Sequence, residues 1–195
     1  MNDAAAPAPV QRAHRLEIFV DGSNWNLALI RESFHFQVDL NLLATRLSRG
    51  FHFVKLRYYT SPLPNQTSPA YRRQQQFFDE LRRSRRIDLV LGRHEPRRDE
   101  EGNRYFVEKE TDVNLAVDMV LGACEDRFDV AMLVAGDTDY VRAIHALKAR
   151  GKRLVWCPLP GQRHTNLLSQ VCDEQKELDE RFLRTCIKRR PVPPR

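Results

Sequence analysis

With 195 residues, 42% of them hydrophobic and 30% charged, the chain has the composition of a globular, soluble protein long enough to bury a sizeable core. No apolar run approaches the roughly 20 residues that cross a bilayer, so no membrane partner is expected. The formal net charge of +6 favours a polyanionic partner, yet 26 acidic residues remain and several are grouped where apolar runs end.

Residues 1–14, which include Ala4-Ala5-Ala6-Pro7-Ala8-Pro9, lack the basic start and apolar core of a secretory signal and read as a disordered leader. A first strand is expected over 16–20, ending in Asp21-Gly22-Ser23-Asn24, with a helix from Trp25 to about Arg31. Asp39 reads as the N-cap of a second helix, since Leu40, Leu43, Ala44 and Leu47 recur at helical spacing before Gly50 ends it. A second strand follows over 53–59. Ser68-Pro69 supplies a cap and a first-turn proline for a helix to about Arg85, which buries Phe77, Phe78 and Leu81 and shows Arg72, Arg73, Arg82 and Arg83. A third strand spans 87–91.

Residues 92–107 are polar, and the turn signal at 99–103 predicts a β-hairpin arm. Thr111 is read as the cap of a long, mostly buried helix over 112–124. The unbroken apolar run 130–135 predicts a strand covered on both faces, and it stops abruptly at Gly136-Asp137-Thr138-Asp139. The next helix buries Val141, Ile144 and Leu147 and stops at Gly151; a fifth strand covers 152–157. A short helix over 165–171 and another over 173–188 complete a single domain at 15–187, and 188–195 form a basic, proline-rich tail. The alternation predicts a three-layer α/β/α sandwich around a mostly parallel sheet of about five strands. Four scattered cysteines have no zinc or disulfide spacing and suit a reducing cytoplasm, with Cys124 and Cys157 read as small core residues.

In a parallel sheet Asp21 and Asp137 both follow strands and share one edge, where open α/β sheets keep their ligands. The helix beginning at Asp112 runs antiparallel to the strand it feeds, so its start returns to that same edge. Two like charges about 4 Å apart repel by roughly 4 kcal/mol at an effective dielectric of 20. Such a cluster is therefore relieved by protonation or by a divalent cation. All-oxygen ligands favour Mg²⁺ or Mn²⁺ over zinc, and either ion acidifies water and stabilises charge on phosphoryl oxygens.

Three stretches carry a resemblance: D-G-S-N at 21–24, K-E-T-D-V-N-L-A-V-D at 109–118 and G-D-T-D-Y at 136–140. In this order and spacing they look like the signatures of NYN domains, in the PIN-like nuclease superfamily, over about 16–157 with an extension beyond. The resemblance implies a PIN-like sheet and a metal-dependent ribonuclease. It carries over Asp21, Asp112, Asp137 and Asp139 as metal ligands or water-positioning groups, with Asn24 orienting a ligand or phosphate. Thr138 stands where the pattern often has serine and keeps a hydroxyl. Asp118 also matches, but helix geometry sets it about 120° around the axis from Asp112, which favours a supporting hydrogen bond.

Simpler readings stand beside these. Asp137 or Asp139 can cap the following helix, and Asp112 can be a first-turn acid on a helix dipole. Arg93, Arg97, Arg98, Arg104 and Lys109 lead into Asp112 and are the candidate RNA-binding residues; the arginines of 72–86 read as a solvated face. Trp25 reads as core and His94 as a surface residue. The leading expectation is an endoribonuclease on single-stranded or flexible-looped RNA, with a homodimer left open. The alternatives are a catalytically silent RNA-binding or adaptor module and a phosphatase for small phosphoesters.

Overall fold

The computed structural model describes residues 13–32, 34, 37–159, 161 and 166–187. The expected tail, most of the expected leader and residue 165 lie outside them. The chain runs through β1 (Arg15–Asp21), α1 (Gly22–Arg31), α2 (Leu40–Leu47), β2 (His52–Thr60), α3 (Pro69–Arg83) and β3 (Ile87–Leu91). It continues as β4 (Arg93–Arg98), β5 (Arg104–Lys109), α4 (Thr111–Cys124), β6 (Val130–Val134), α5 (Val141–Ala149), β7 (Arg153–Trp156), α6 (Asn166–Val171), β8 (Glu174–Gln175) and α7 (Glu180–Arg184).

Six strands form one sheet in the order β3-β2-β1-β6-β7-β8, while β4 and β5 make a separate hairpin. Every pair in the large sheet is parallel. The chain winds outward from β1 to β3, returns to the centre at β6 and winds outward the other way. Its direction of winding reverses between β1 and β6, and ligands gather at such a switch point.

Strand alternation builds two cores. Leu16, Ile18 and Val20 of β1 join Val130, Met132 and Val134 of β6 on the face covered by α1 and α2. Phe19, Ala131 and Leu133 point the other way, onto Leu115 and Met119 of α4 and Ile144 and Leu147 of α5. Asp21 has the parity of Phe19, which turns its side chain toward α4 and α5.

Local signals behave as the sequence predicts at several ends. Asp39 accepts from the Asn41 and Leu42 amides, and Ser68 accepts from the Tyr71 amide ahead of a first-turn proline. The hairpin also forms, its turn held by Asp99 Oδ1 accepting from the Glu101 and Asn103 amides.

Four expectations are corrected. Thr111 does not cap α4; Glu110 holds that position at φ 76° without a side-chain bond, while the Thr111 hydroxyl is drawn to Glu108. Helix α4 is not mostly buried, because only one face meets the sheet, and Val113, Val117 and Leu121 on the other stay 63%, 48% and 46% exposed. Cys124 is exposed at its end, whereas Cys157 is buried, which pushes its thiol up to about 12. The helix expected over 173–188 is instead β8 and the short α7. The open edge of β7 needs partners, and the Asp173 amide donates to Leu154 O while Lys176 donates to Trp156 O.

Candidate active site

Asp21 ends β1 and caps α1, its Oδ1 accepting from the Asn24 amide at 2.9 Å. The side chain is only 2% exposed. Gly22 is what lets the helix start so close to β2: a Cβ there would fall 2.5 Å from both the Tyr58 ring and the Tyr59 carbonyl oxygen. On the far side of Asp21, the Tyr140 hydroxyl stands 3.0 Å from its Oδ2 and 3.0 Å from Oδ1 of Asp112. Two aspartates 91 positions apart in the sequence are thus clipped to one phenol.

Asp137 follows β6 and caps the 3-10 turn Thr138–Tyr140, its Oδ1 accepting from the Asp139 amide at 3.0 Å. The simple capping reading therefore holds for Asp137, and it also lines the same cleft. That cleft, about 410 Å³, is bounded by Asp21, Ser23, Asn24, Glu108, Asp112 and Asp137, with Leu27 and Val113 as an apolar rim. Glu108 is fixed by two hydroxyls, Ser23 at 2.8 Å and Thr111 at 2.7 Å, both donating to its Oε1. A larger cleft of about 520 Å³ lies between Glu32, Leu159 and α7. Two of its acids are engaged locally, Asp179 as the α7 cap and Glu180 with Arg184, and it lies away from the switch point between β1 and β6.

Burial pushes the Asp21 carboxyl up to about 6; the amide of Asn24 and the Tyr140 hydroxyl oppose the rise, and the charges of Asp112 and Glu108 add to it. Asp112 is raised as well, first by desolvation and then by Asp137, Glu108 and Asp139. Among the described residues no lysine or arginine forms an ion pair with Asp21, Glu108, Asp112 or Asp137.

The other sequence-predicted residues sort clearly. Asp139 is exposed and contributes its charge rather than a wall of the cleft. Thr138 opens the 3-10 turn. Asp118 accepts from the Tyr59 hydroxyl at 3.0 Å, the supporting bond its helical phase predicts. Arg93 pairs with Glu110 at 2.6 Å and Arg97 with Glu95 at 3.5 Å, whereas Arg98 donates to the Gly102 carbonyl and Arg104 is exposed. Lys109 lies at the cleft wall. Trp25 is buried in the core, and His94 sits half-buried against the Pro62 carbonyl. Of the arginines in 72–86, Arg82 pairs with Asp79 and Arg86 lies over the Phe53 ring.

Sequence reasoning gave no role to Tyr140, Glu108 or Ser23. Tyr140 closes the third signature, and Glu108 precedes Asp112 by four residues at the end of a strand. Those positions were the available signals.

A doubly wound parallel sheet with carboxylates at its switch point is the frame expected of a PIN-like domain. The sequence matches the NYN domain profile over residues 15–179, most of the chain, and the protein belongs to that family of PIN-like nucleases. It is 28% identical over 141 residues to the Low amplitude and bright protein LabA of Synechococcus elongatus, covering 71% of this chain and 70% of that one. A crystal structure of a protein of unknown function from Vibrio parahaemolyticus RIMD 2210633 shares the fold, with a TM-score of 0.67 and 22% identity over 90% of this chain and 99% of that one.

The family implies a divalent ion, and the donor chemistry of the cleft fits one. All the candidate donors are oxygens, and Asp21 and Asp112 hold their protons more tightly than free carboxyls do, a strain that a hard cation relieves. As they are arranged, no three acidic, imidazole or thiolate groups among the described residues surround one point. Asp21 and Asp112 are held together through the Tyr140 hydroxyl they share.

Proposed function

We propose that this protein is a metal-dependent endoribonuclease that hydrolyses phosphodiester bonds of single-stranded or flexible-looped RNA. The observation that carries the reading is the carboxylate cluster, Asp21 and Asp112 bridged by Tyr140 with Asp137 and Glu108 beside them and none of the four ion-paired among the described residues, on a chain of net charge +6. A basic exterior draws in a polyanion, and an acidic cleft selects the cation that makes its backbone reactive.

In this reading Asp21, Asp112 and Asp137 hold Mg²⁺ or Mn²⁺, with Asp139 adding charge at the rim. The bound ion supplies a Lewis acid that acidifies water and offsets charge on the phosphoryl oxygens. Tyr140 and the Asn24 amide fix the two oxygens of Asp21, so the carboxylate does not have to be oriented when the substrate arrives. The Asn24 side chain, on the wall of the cleft, orients the phosphate. Ser23 and Thr111 lock Glu108, and Asp118 and Thr138 support the framework from behind. The hairpin borders the approach, and Arg98 and Arg104, with Lys109 at the cleft wall, receive the RNA backbone.

Cleavage of a labelled single-stranded RNA under Mn²⁺ tests this directly. Asp21→Asn, Asp112→Asn and Asp137→Asn should each keep the circular dichroism of the wild type and lose about 100-fold or more in rate. Undiminished rates in these variants reject the assignment. A second reading, a catalytically silent RNA-binding module, draws on Asp137 being engaged as a cap and on the lack of a three-acid convergence among the described residues. It predicts salt-sensitive RNA affinity with no turnover under Mg²⁺ or Mn²⁺.

A further inference from the structure

The β4–β5 hairpin has two faces, and they differ in chemistry. Directly opposed residues of an antiparallel pair share a face, and alternate residues along each strand follow them. The register places His94, Pro96 and Arg98 opposite Glu108, Phe106 and Arg104. The other face carries Arg93, Glu95 and Arg97 opposite Lys109, Val107 and Tyr105.

On that second face both arginines are engaged by carboxylates, Arg93 by Glu110 and Arg97 by Glu95. The first face is different. Arg98 gives one donor to the Gly102 carbonyl and keeps its charge, and Arg104 is exposed with no carboxylate partner among the described residues. Between these cations and the cleft lies Phe106, 46% exposed, with the His94 ring edge-on at a centroid distance of 6.5 Å. His94 in turn meets the Pro62 carbonyl at 2.9 Å, and the Gly92 amide donates to Thr60 O, which together fasten the base of the hairpin to the end of β2.

The same face runs without interruption into the acidic cleft. Glu108, which lines it, Phe106 and Arg104 are successive outward positions about 7 Å apart at the rise of a strand. Carboxylate cleft, exposed aromatic ring and two guanidinium groups with no carboxylate partner among the described residues thus lie in a line about 14 Å long, enough for a few nucleotides. Rings with open faces stack bases regardless of identity, and unpaired cations hold phosphates.

We infer that the Arg98–Phe106–Arg104 face of the hairpin is a subsite for single-stranded RNA, with Phe106 stacking a base and the two arginines holding backbone phosphates on the way to the cleft. The inference rests on the nuclease reading and narrows its basic arm to one face. Arg93, Arg97 and Tyr105, on the opposite face, do not touch the strand.

Fluorescence anisotropy of a short labelled oligouridylate with the full chain, in chelator so that nothing is cut, tests it. The double variant Arg98→Ala/Arg104→Ala should bind about tenfold more weakly, and its slope of log affinity against log salt should be shallower by about 1.4, two phosphate contacts on a single strand. Phe106→Ala should lose at least about fivefold, and Phe106→Trp should restore it. Arg93→Ala/Arg97→Ala and Tyr105→Ala should stay within about twofold of wild type. Equal losses from the two arginine pairs, no loss in Phe106→Ala, or no binding by the wild type overturns the subsite.

A parallel cleavage assay separates this from the nuclease reading. Hairpin variants that bind as wild type while Asp21→Asn is inactive defeat the subsite alone. An Asp21→Asn variant that cleaves normally defeats the nuclease reading, with the face-selective binding losses still supporting the subsite.

Discussion

A phenol has one proton to donate, and Tyr140 faces two carboxyl groups at equal distance. When both Asp21 and Asp112 are ionised, one contact lacks a hydrogen and brings two negative oxygens together. A proton held by either carboxyl removes that conflict, consistent with the raised values of both groups. For Asp21 the folded state binds its proton more tightly than the unfolded chain does. Its stabilising contribution is therefore present below about pH 4 and is lost as pH rises through about 6. Asp21→Asn should then be more stable than wild type at pH 7.5 in chelator, by about 2 kcal/mol, because the amide keeps the acceptor and loses the charge. The gain should shrink toward zero near pH 4.5. Urea unfolding at the two pH values checks this, and a variant destabilised at both would show that the carboxylate is not strained.

Between neighbouring elements, the decisive contact is the seating of α1 on β2. Gly22 stands in the first turn of α1 with no room for a methyl group against the Tyr58 ring and the Tyr59 backbone. Gly22→Ala should cost about 1–3 kcal/mol, since a backbone oxygen cannot swing aside as a side-chain tip can. The same substitution should weaken Mn²⁺-dependent cleavage, because the Asn24 amide that fixes Asp21 moves with that turn. Denaturant midpoints paired with cleavage rates measure both, and an unchanged midpoint would mean the close approach is not maintained. Other element boundaries were open to sequence reasoning because their causes are local: Asp39 and Ser68 cap where their side chains reach the next turn. The segment after Cys172 was not, because its conformation answers to a demand from β7, 19 residues earlier at the bond between Asp173 and Leu154.

Across the sheet, the two ends have opposite electrostatics. At the amino edge Arg15 binds Asp129 at 2.7 Å and Asp126 at 2.9 Å, and Lys152 pairs with Asp126. The Arg15 guanidinium holds the Asp129 carboxyl down to about 2. That contribution is present above the unfolded value of about 4 and is lost as pH falls toward 2, the reverse of Asp21 at the carboxyl edge. The chelated protein should accordingly be most stable between about pH 4 and 6, and a maximum near pH 8 would contradict the polarity. Sequence alone determined the alternation of strands and helices, the parallel sheet, the hairpin and the return of Asp21, Asp112 and Asp137 to one edge, because hydrophobic period and connectivity are written locally. Tertiary packing alone decided that Tyr140 bridges two of those acids, that Glu108 joins them and that β8 closes the sheet. Those outcomes depend on which side chains arrive at one point in space, and residues distant along the chain carry no mark of that meeting.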